Sequence, residues 1–398
     1  MAKASGLMRP DQERKSLAGW LLDERVLQMI TQVIFGAAIL GVAYYLYHNM
    51  TVALAKEGMV VGYDFLKKVS GFDISFKLIP FDRTSTYFRA LEVGVLNTLL
   101  ASIISIIIST VLGIVVAVAR VSSHWLLNRL AWLYIEIFRN VPLLLVIMAC
   151  YAVYIFNLPN VNKADVLPGP SYLSNRGLVI PRLTPTPLTF TFLTLLFISL
   201  LVSIAAAYLI SRRFRLDRFI GTLIALGITV LLGVVIWFLL PQAGFGVDIP
   251  AKTGLNFTGG TTLPPELVGI IMGLVLGSSP FTADTIRAGL QSVSKGQIEA
   301  ARALGLSGYQ TMRLVIFPQA MRVIVPPMTS NYMSLTKNSS LASAIAFPEL
   351  VHVTTTLTAQ TGRAVETTTI MMVVYATLSL LTSLFMNWYN QRVKIVER

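Results

Sequence analysis

Apolar residues along this chain gather into long unbroken runs separated by short polar stretches. Eight such runs, at about 26–49, 91–119, 133–157, 189–211, 220–240, 265–285, 320–345 and 367–388, are each long enough to cross a bilayer as a helix. Backbone facing lipid must satisfy its hydrogen bonds internally, so spans are helices or a closed barrel. Barrel strands are about 10 residues of alternating pattern, which these runs are not. The expected fold class is therefore all-α integral membrane, with about eight transmembrane helices. Ahead of the first run, residues 1–25 are polar and carry Lys3, Arg9, Arg14, Lys15 and Arg25. No short apolar core with a small-residue cleavage site is visible, so the first run is expected as a retained span. Beyond it, Val52, Ala55, Met59, Tyr63, Leu66 and Val69 recur at helical spacing, which predicts a helix lying on the outer membrane face.

Composition agrees with a lipid environment. Of 398 residues 55% are hydrophobic and only 13% charged, against about 25% charged in a soluble domain. The net charge of +13 is spread over loops and forms no aromatic-interleaved stripe, which argues against nucleic acid. It speaks instead to topology. With the N-terminus inside, 19 Lys/Arg fall in inner segments and 11 in outer ones. That excess predicts both termini in the cytoplasm.

Chemistry-bearing residues are sparse. The one cysteine, Cys150, lies in an apolar run and reads as a small core residue. His48, His124 and His352 are far apart, so neither a metal site nor a catalytic constellation is expected, and the chain does not read as an enzyme. Membrane segments hold almost no acid: Glu136 and Asp284 fall near inner ends and Glu92 near an outer one. Ion-coupled carriers place carboxylates near mid-membrane, which disfavours the alternative reading, a secondary carrier or channel for small polar solutes. Glu136 precedes Arg139 by three residues, and a local ion pair is expected there. No phosphate-cradling P-loop occurs, so the chain is not its own motor and carries no cofactor.

The most informative stretch is 299–318. Glu299-Ala300-Ala301-Arg302-Ala303-Leu304-Gly305 is followed, after nine residues, by Val315-Ile316-Phe317-Pro318. A polar helix-turn-helix is thereby held at a membrane face between two spans, where it can grip a soluble partner. Ala300 and Ala301 offer a small-residue surface and Glu299 a charge. Gly305 suits the left-handed conformation that ends a helix, and Ser307 is placed to cap a second one. This pattern resembles the EAA loop of ABC importer permeases, the element that couples the membrane subunit to its ATPase.

The resemblance extends from about Arg89 to Arg398. Ala90-Leu91 through Leu100, Glu136-Ile137-Phe138-Arg139-Asn140-Val141-Pro142-Leu143-Leu144, Thr285-Ile286-Arg287 through Gln297, Pro318-Gln319-Ala320-Met321-Arg322, Pro326-Pro327 and Lys337-Asn338-Ser339-Ser340-Leu341 are similar to ordered motifs of polar amino-acid permeases of the type I importer fold. The pair of spans at about 189–240, the helix before the core, and Asn338 where the family usually has Asp make the Q-type permease of general L-amino-acid importers the nearest resemblance. It implies a five-helix permease core with one N-terminal and two inserted helices. The domains are then 1–90 (tail, first span, periplasmic amphipathic segment) and 91–398 (core with insertion). It implies the bacterial inner membrane and import of L-amino acids by alternating access. The implied partners are a homologous permease subunit in a heterodimer, an ATPase dimer that holds ATP and Mg, and a periplasmic amino-acid-binding protein.

Within that frame, Glu299, Ala300, Ala301, Arg302 and Gly305 are the expected ATPase-coupling residues. Arg302 and Arg313 are either partners of acidic groups on the motor or solvated charges. Pro326-Pro327 should break the hydrogen-bond ladder of the span from 320. Asn331 and Ser334, about 12 residues in, sit near the bilayer middle and either contact substrate or glue helices together. Lys337 is costly in lipid and should face protein or water, as a guard of the outer gate or a counter-charge to a substrate carboxylate. Ser339 and Ser340 complete the expected substrate pathway.

Overall fold

The computed structural model describes residues 24–56, 62–167, 169–185, 189–214, 227–236, 245–254 and 256–393. The chain divides into two compact units, Met1–Phe65 and Leu66–Arg398. The polar tail 1–23 lies outside the described residues. The first unit is dominated by α1 (Glu24–Lys56), whose Phe35, Leu40 and Tyr44 are exposed, as suits a helix solvated by lipid.

The helix expected over 52–69 does not form as one element. Its start is the last turn of α1, residues 57–61 lie outside the described set, and Asp64–Lys67 is a single 3-10 turn. The chain after it is extended because its backbone pairs with 83–86. Val69 bridges Thr86, and the Ser70 N–H donates to the Ser85 carbonyl at 2.8 Å. Helical spacing of apolar residues is outweighed there by a backbone partner.

In the second unit, α2 (Tyr87–Val121) starts at Thr86, whose hydroxyl accepts from the Arg89 N–H. Next come α3 (Trp125–Asn140), α4 (Leu143–Asn157), β1 (Asp165–Leu167), β2 (Ser171–Ser174), β3 (Gly177–Ile180), β4 (Arg182–Pro185) and α5 (Thr189–Phe214). A helix α6 (Gly227–Ile236) follows, then β5 (Phe245–Asp248), β6 (Ala251–Thr253), β7 (Asn256–Thr258) and β8 (Thr261–Leu263). The chain closes with α7 (Pro265–Gln291), α8 (Lys295–Ala303), α9 (Gly308–Thr311), α10 (Phe317–Asn338), α11 (Leu350–Thr361) and α12 (Ala364–Val393). Where their residues are described, the eight expected spans fall on helix, that at 220–240 only over 227–236. Four helices are long and apolar enough to cross alone, and the α3–α4 pair supplies a fifth. The inserted spans correspond to α5 and α6; residues 215–226 and 237–244 lie outside the described residues.

Three features depart from the sequence reading. The span expected at 133–157 is two helices meeting at 107°. Val141 (φ −92°, ψ 130°) is extended, as the residue before a proline prefers, and Pro142 has no N–H with which to continue the first helix. By contrast, Pro326 and Pro327 lie inside an unbroken α10. Their fixed φ matches a helix, so two rungs of the ladder are lost while its path continues. Thirdly, the segments flanking the insertion carry antiparallel strands. β1, β2, β3 and β8 form one sheet in that order, β4 pairs β5, and β6 pairs β7.

The core inverts the rule of soluble proteins. On α2 the buried face carries Tyr87, Leu91, Val93 and Val116 but is otherwise small or polar, with Ala90, Gly94, Asn97, Thr98, Ala101, Ser102, Ser105, Ser109, Gly113 and Ala117, while Ile103, Ile107, Val111, Ile114 and Val118 are exposed. In lipid no hydrophobic force drives helices together, so small residues that permit close packing go inside. Helix α7 is the hub, packing on α2, α4, α10 and α3. It presents Gly269, Gly273 and Gly277, one per turn, to Tyr151, Ile147 and Leu143 of α4. A Cβ on Gly273 would lie 2.6 Å from the Ile147 Cα, so the two helices touch backbone to backbone.

Buried polar groups tie the outer chain to this core. Asn97, fully buried, donates to the carbonyls of Phe76 (2.9 Å) and Pro348 (2.8 Å). The Thr98 hydroxyl accepts the Leu350 N–H at 3.1 Å. The carboxylate of Glu349, also fully buried, accepts the N–H groups of Val351 and His352 at 2.8 Å and the Tyr375 hydroxyl at 3.0 Å. It thereby caps α11 and fastens it to α12.

Gly273→Ala should destabilise the protein by about 1–3 kcal/mol, because Ile147 backbone must move. Gly296→Ala, in α8 with open space around it, should be neutral or stabilising. Thermal unfolding of the two purified variants in detergent checks the contrast, and equal behaviour would refute the backbone contact.

Candidate functional site: a capped loop and a polar cavity

The loop between α7 and α10 is built as an elbow. Helix α8 ends in a Schellman motif: the Gly305 N–H donates to the Arg302 carbonyl at 2.9 Å, and the Leu306 N–H to the Ala301 carbonyl at 3.1 Å. Gly305 has φ +78°, a conformation that costs an L side chain roughly 1–2 kcal/mol. Two residues later Ser307 opens α9 with a reciprocal capping box. Its hydroxyl accepts the Gln310 N–H at 3.3 Å, and its N–H donates to Gln310 Oε1 at 2.8 Å. A wide π turn, Met312–Ile316, then leads into α10 just before Pro318.

Of the expected coupling residues, Glu299, Ala300, Arg302 and Gly305 are exposed. Ala301 is not: at 3% exposure it is packed under the loop, so it supports the elbow instead of offering a surface. The sequence reading missed the elbow's apolar outer face, where Leu304 is 81% and Tyr309 72% exposed. Both lie in the polar connection, where hydropathy averaging hides single residues.

A cavity of about 470 Å³ lies where the α3–α4 bend meets α7 and α10. Arg139, Ser278, Phe281, Asn331, Ser334 and Asn338 are on its wall. The structure thus brings Asn331 and Ser334 together, with Asn331 Nδ2 also 3.4 Å from the Thr285 hydroxyl of α7. It leaves out the other three expected pathway residues. Lys337 is exposed, lies off the cavity wall, and makes no ion pair with a described residue. Ser339 is fully buried and donates to the Thr336 carbonyl at 2.7 Å. Ser340 is half-buried away from the wall.

The local Glu136–Arg139 pair is replaced by a longer-range one. Arg139 Nη1 is bound to the Asp284 carboxylate across the α3–α7 interface, and Asp284 is also 3.3 Å from Arg287. Glu136 accepts from Asn140 Nδ2 at 3.0 Å. Arg139 stands at the end of α3, where its guanidinium lies 5.6 Å over the Phe281 ring. Spacing along one helix cannot reveal a partner 145 residues away.

Residues 199–395 match the family described as binding-protein-dependent transport system inner membrane component. The chain is 39% identical to the general L-amino acid transport system permease protein AapQ of Rhizobium johnstonii, over 96% of each chain. It is 40% identical to the putative amino-acid ABC transporter permease protein YhdX of Escherichia coli, over 92% of this chain and 94% of that one. Among solved structures, an amino acid ABC transporter crystallised with histidines covers 77% of this chain and 95% of its own, at 20% identity and a TM-score of 0.46.

Ser307→Ala should remove the hydroxyl half of the capping box at a cost of about 1 kcal/mol. Hydrogen exchange at the Gly308–Gln310 amides should quicken, with little change in α7.

Proposed function

The chain belongs to the family of binding-protein-dependent transport system inner membrane components, and on that footing we propose that it is the permease subunit of an ATP-driven importer of L-amino acids. It is a multi-pass inner-membrane transport subunit and not an enzyme; ATP is hydrolysed on a separate subunit. In the proposed cycle, closure of an ATPase pair pushes the α8 elbow, and the push tilts α7 and α10, which flank both the elbow and the cavity. The excess of Lys/Arg in the segments taken as inner supports a cytoplasmic position for both termini. The proposed partners are a homologous permease, an ATPase dimer holding ATP and Mg, and a periplasmic amino-acid-binding protein.

The observation that carries this reading is the doubly capped elbow. A loop that transmits force must not yield, and here both helix ends are closed by hydrogen bonds around a single left-handed glycine. Its exposed side combines Glu299, Ala300, Arg302, Leu304 and Tyr309, a mixed apolar and charged face that fits a protein partner and not water alone. Asn331 and Ser334 supply the proposed polar contacts for a small zwitterion in transit.

Reconstitution of the chain with partner permease, ATPase and binding protein should give ATP-dependent uptake of labelled amino acids that requires every component. Gly305→Val should uncouple uptake from ATP hydrolysis, because β-branched residues avoid positive φ. Gly305→Asn, which tolerates that conformation, should retain coupling. Uptake by the chain alone under an ion gradient would overturn the proposal in favour of a secondary carrier.

A further inference from the structure

Among the described residues on the cavity wall, Arg139 alone is charged; its polar neighbours Ser278, Asn331, Ser334 and Asn338 are neutral. A polar hollow whose one charged wall residue is a cation favours an anionic group on whatever enters. At about 470 Å³ the space is of small-molecule size. The guanidinium carries five N–H donors in a planar fork that matches a carboxylate. Asp284 engages Nη1 only, leaving the rest of the fork for a second acceptor. Asp284 is not itself on the wall, and its side chain is 23% exposed against 47% for Arg139. Arg139 is thus on the wall and Asp284 off it, with one guanidinium nitrogen bound to the carboxylate.

The arrangement also answers an energetic problem. A cation at the end of a membrane helix is costly without a partner, and Asp284 supplies one for Arg139. The Phe281 ring under the guanidinium fixes its plane. The non-helical step at Val141-Pro142 ends α3 immediately after Arg139-Asn140, so the side chain is delivered at the cavity's edge.

We propose that Arg139 reads the α-carboxylate of the amino acid in transit, sharing its guanidinium between that carboxylate and Asp284. Arg139 is then a specificity-determining residue for the carboxylate end of the substrate, alongside the amide and hydroxyl contacts of Asn331 and Ser334. This inference rests on the amino-acid permease reading. The competing role for the pair is a staple between α3 and α7 with no part in recognition.

The test is equilibrium binding to the assembled transporter in lipid nanodiscs, without soluble binding protein. The probes are labelled L-glutamine and, as competitor, its carboxyl-neutral analogue L-glutaminamide. Wild type should prefer L-glutamine. Arg139→Gln should weaken L-glutamine binding roughly tenfold or more and leave binding of the cationic L-glutaminamide unchanged or tighter, so that the preference disappears. Asp284→Asn, which breaks the ion pair but keeps the cation, should retain the preference. Equal weakening of both probes in Arg139→Gln would overturn the proposal, as would loss of the preference in Asp284→Asn. Should Arg139→Gln fail to assemble, Arg139→Lys, which keeps the charge but loses the planar fork, takes its place, and an undiminished preference for L-glutamine there would overturn the proposal. If wild type binds neither probe, recognition within the membrane subunit is overturned while the permease reading, tested by reconstituted uptake, stands.

Discussion

The whole arrangement depends on how closely α4 can approach α7. Lipid rewards neither helix for leaving it, so the pair is held by dispersion between surfaces in contact, and dispersion fades within an ångström of separation. Three glycines one turn apart remove the side chains that would hold the axes apart. Because α7 also carries α2, α3 and α10, the glycine stripe sets the position of nearly every other core element. It sets the cavity as well. Leu143, at the start of α4, is pressed against Gly277, and the 107° bend then throws α3 outward, leaving the hollow that Asn331 and Ser334 face.

A second constraint is polar. Asn97, Thr98 and Glu349 satisfy backbone groups of the 348–352 turn that would otherwise be stranded without water. Each is fully buried, and each is worth more here than at a surface, since the alternative is an unpaired group in a low dielectric. Packing in the middle of the core is therefore apolar and close, whereas its outer end is fastened by directed hydrogen bonds. Motion of α7 and α10 relative to that fastened end is the kind of tilt an alternating-access subunit requires.

What could be read in the sequence follows from how local each cause is. Spans are legible because transfer energy adds along twenty or so residues, and their described residues fall on helix. Gly305 and Ser307 are legible because caps depend on the few residues around them. The amphipathic spacing at 52–69 was misleading, since period alone says nothing of a strand-like partner at 83–86. Pro142 and Pro326-Pro327 look alike in sequence. One ends a helix and the others do not, because Val141 is extended while the neighbours of Pro326 keep helical angles. The Arg139–Asp284 pair and the burial of Ala301 are tertiary facts with no local signature. Hydropathy cannot say which face of α2 turns inward, as both faces are compatible with lipid.

Strands β4 and β5 pair in register, Arg182 opposite Asp248 and Pro185 opposite Phe245, and they stand at the entrance and the exit of the inserted helices. The two ends of about sixty residues are thus pinned side by side before the chain enters α5 and after it leaves α6. A segment whose ends already meet can be gained or lost with little disturbance to what it joins. The extra helix pair has the character of a graft on a shared stem, and lineages could shed or acquire it while the rest of the molecule kept its register.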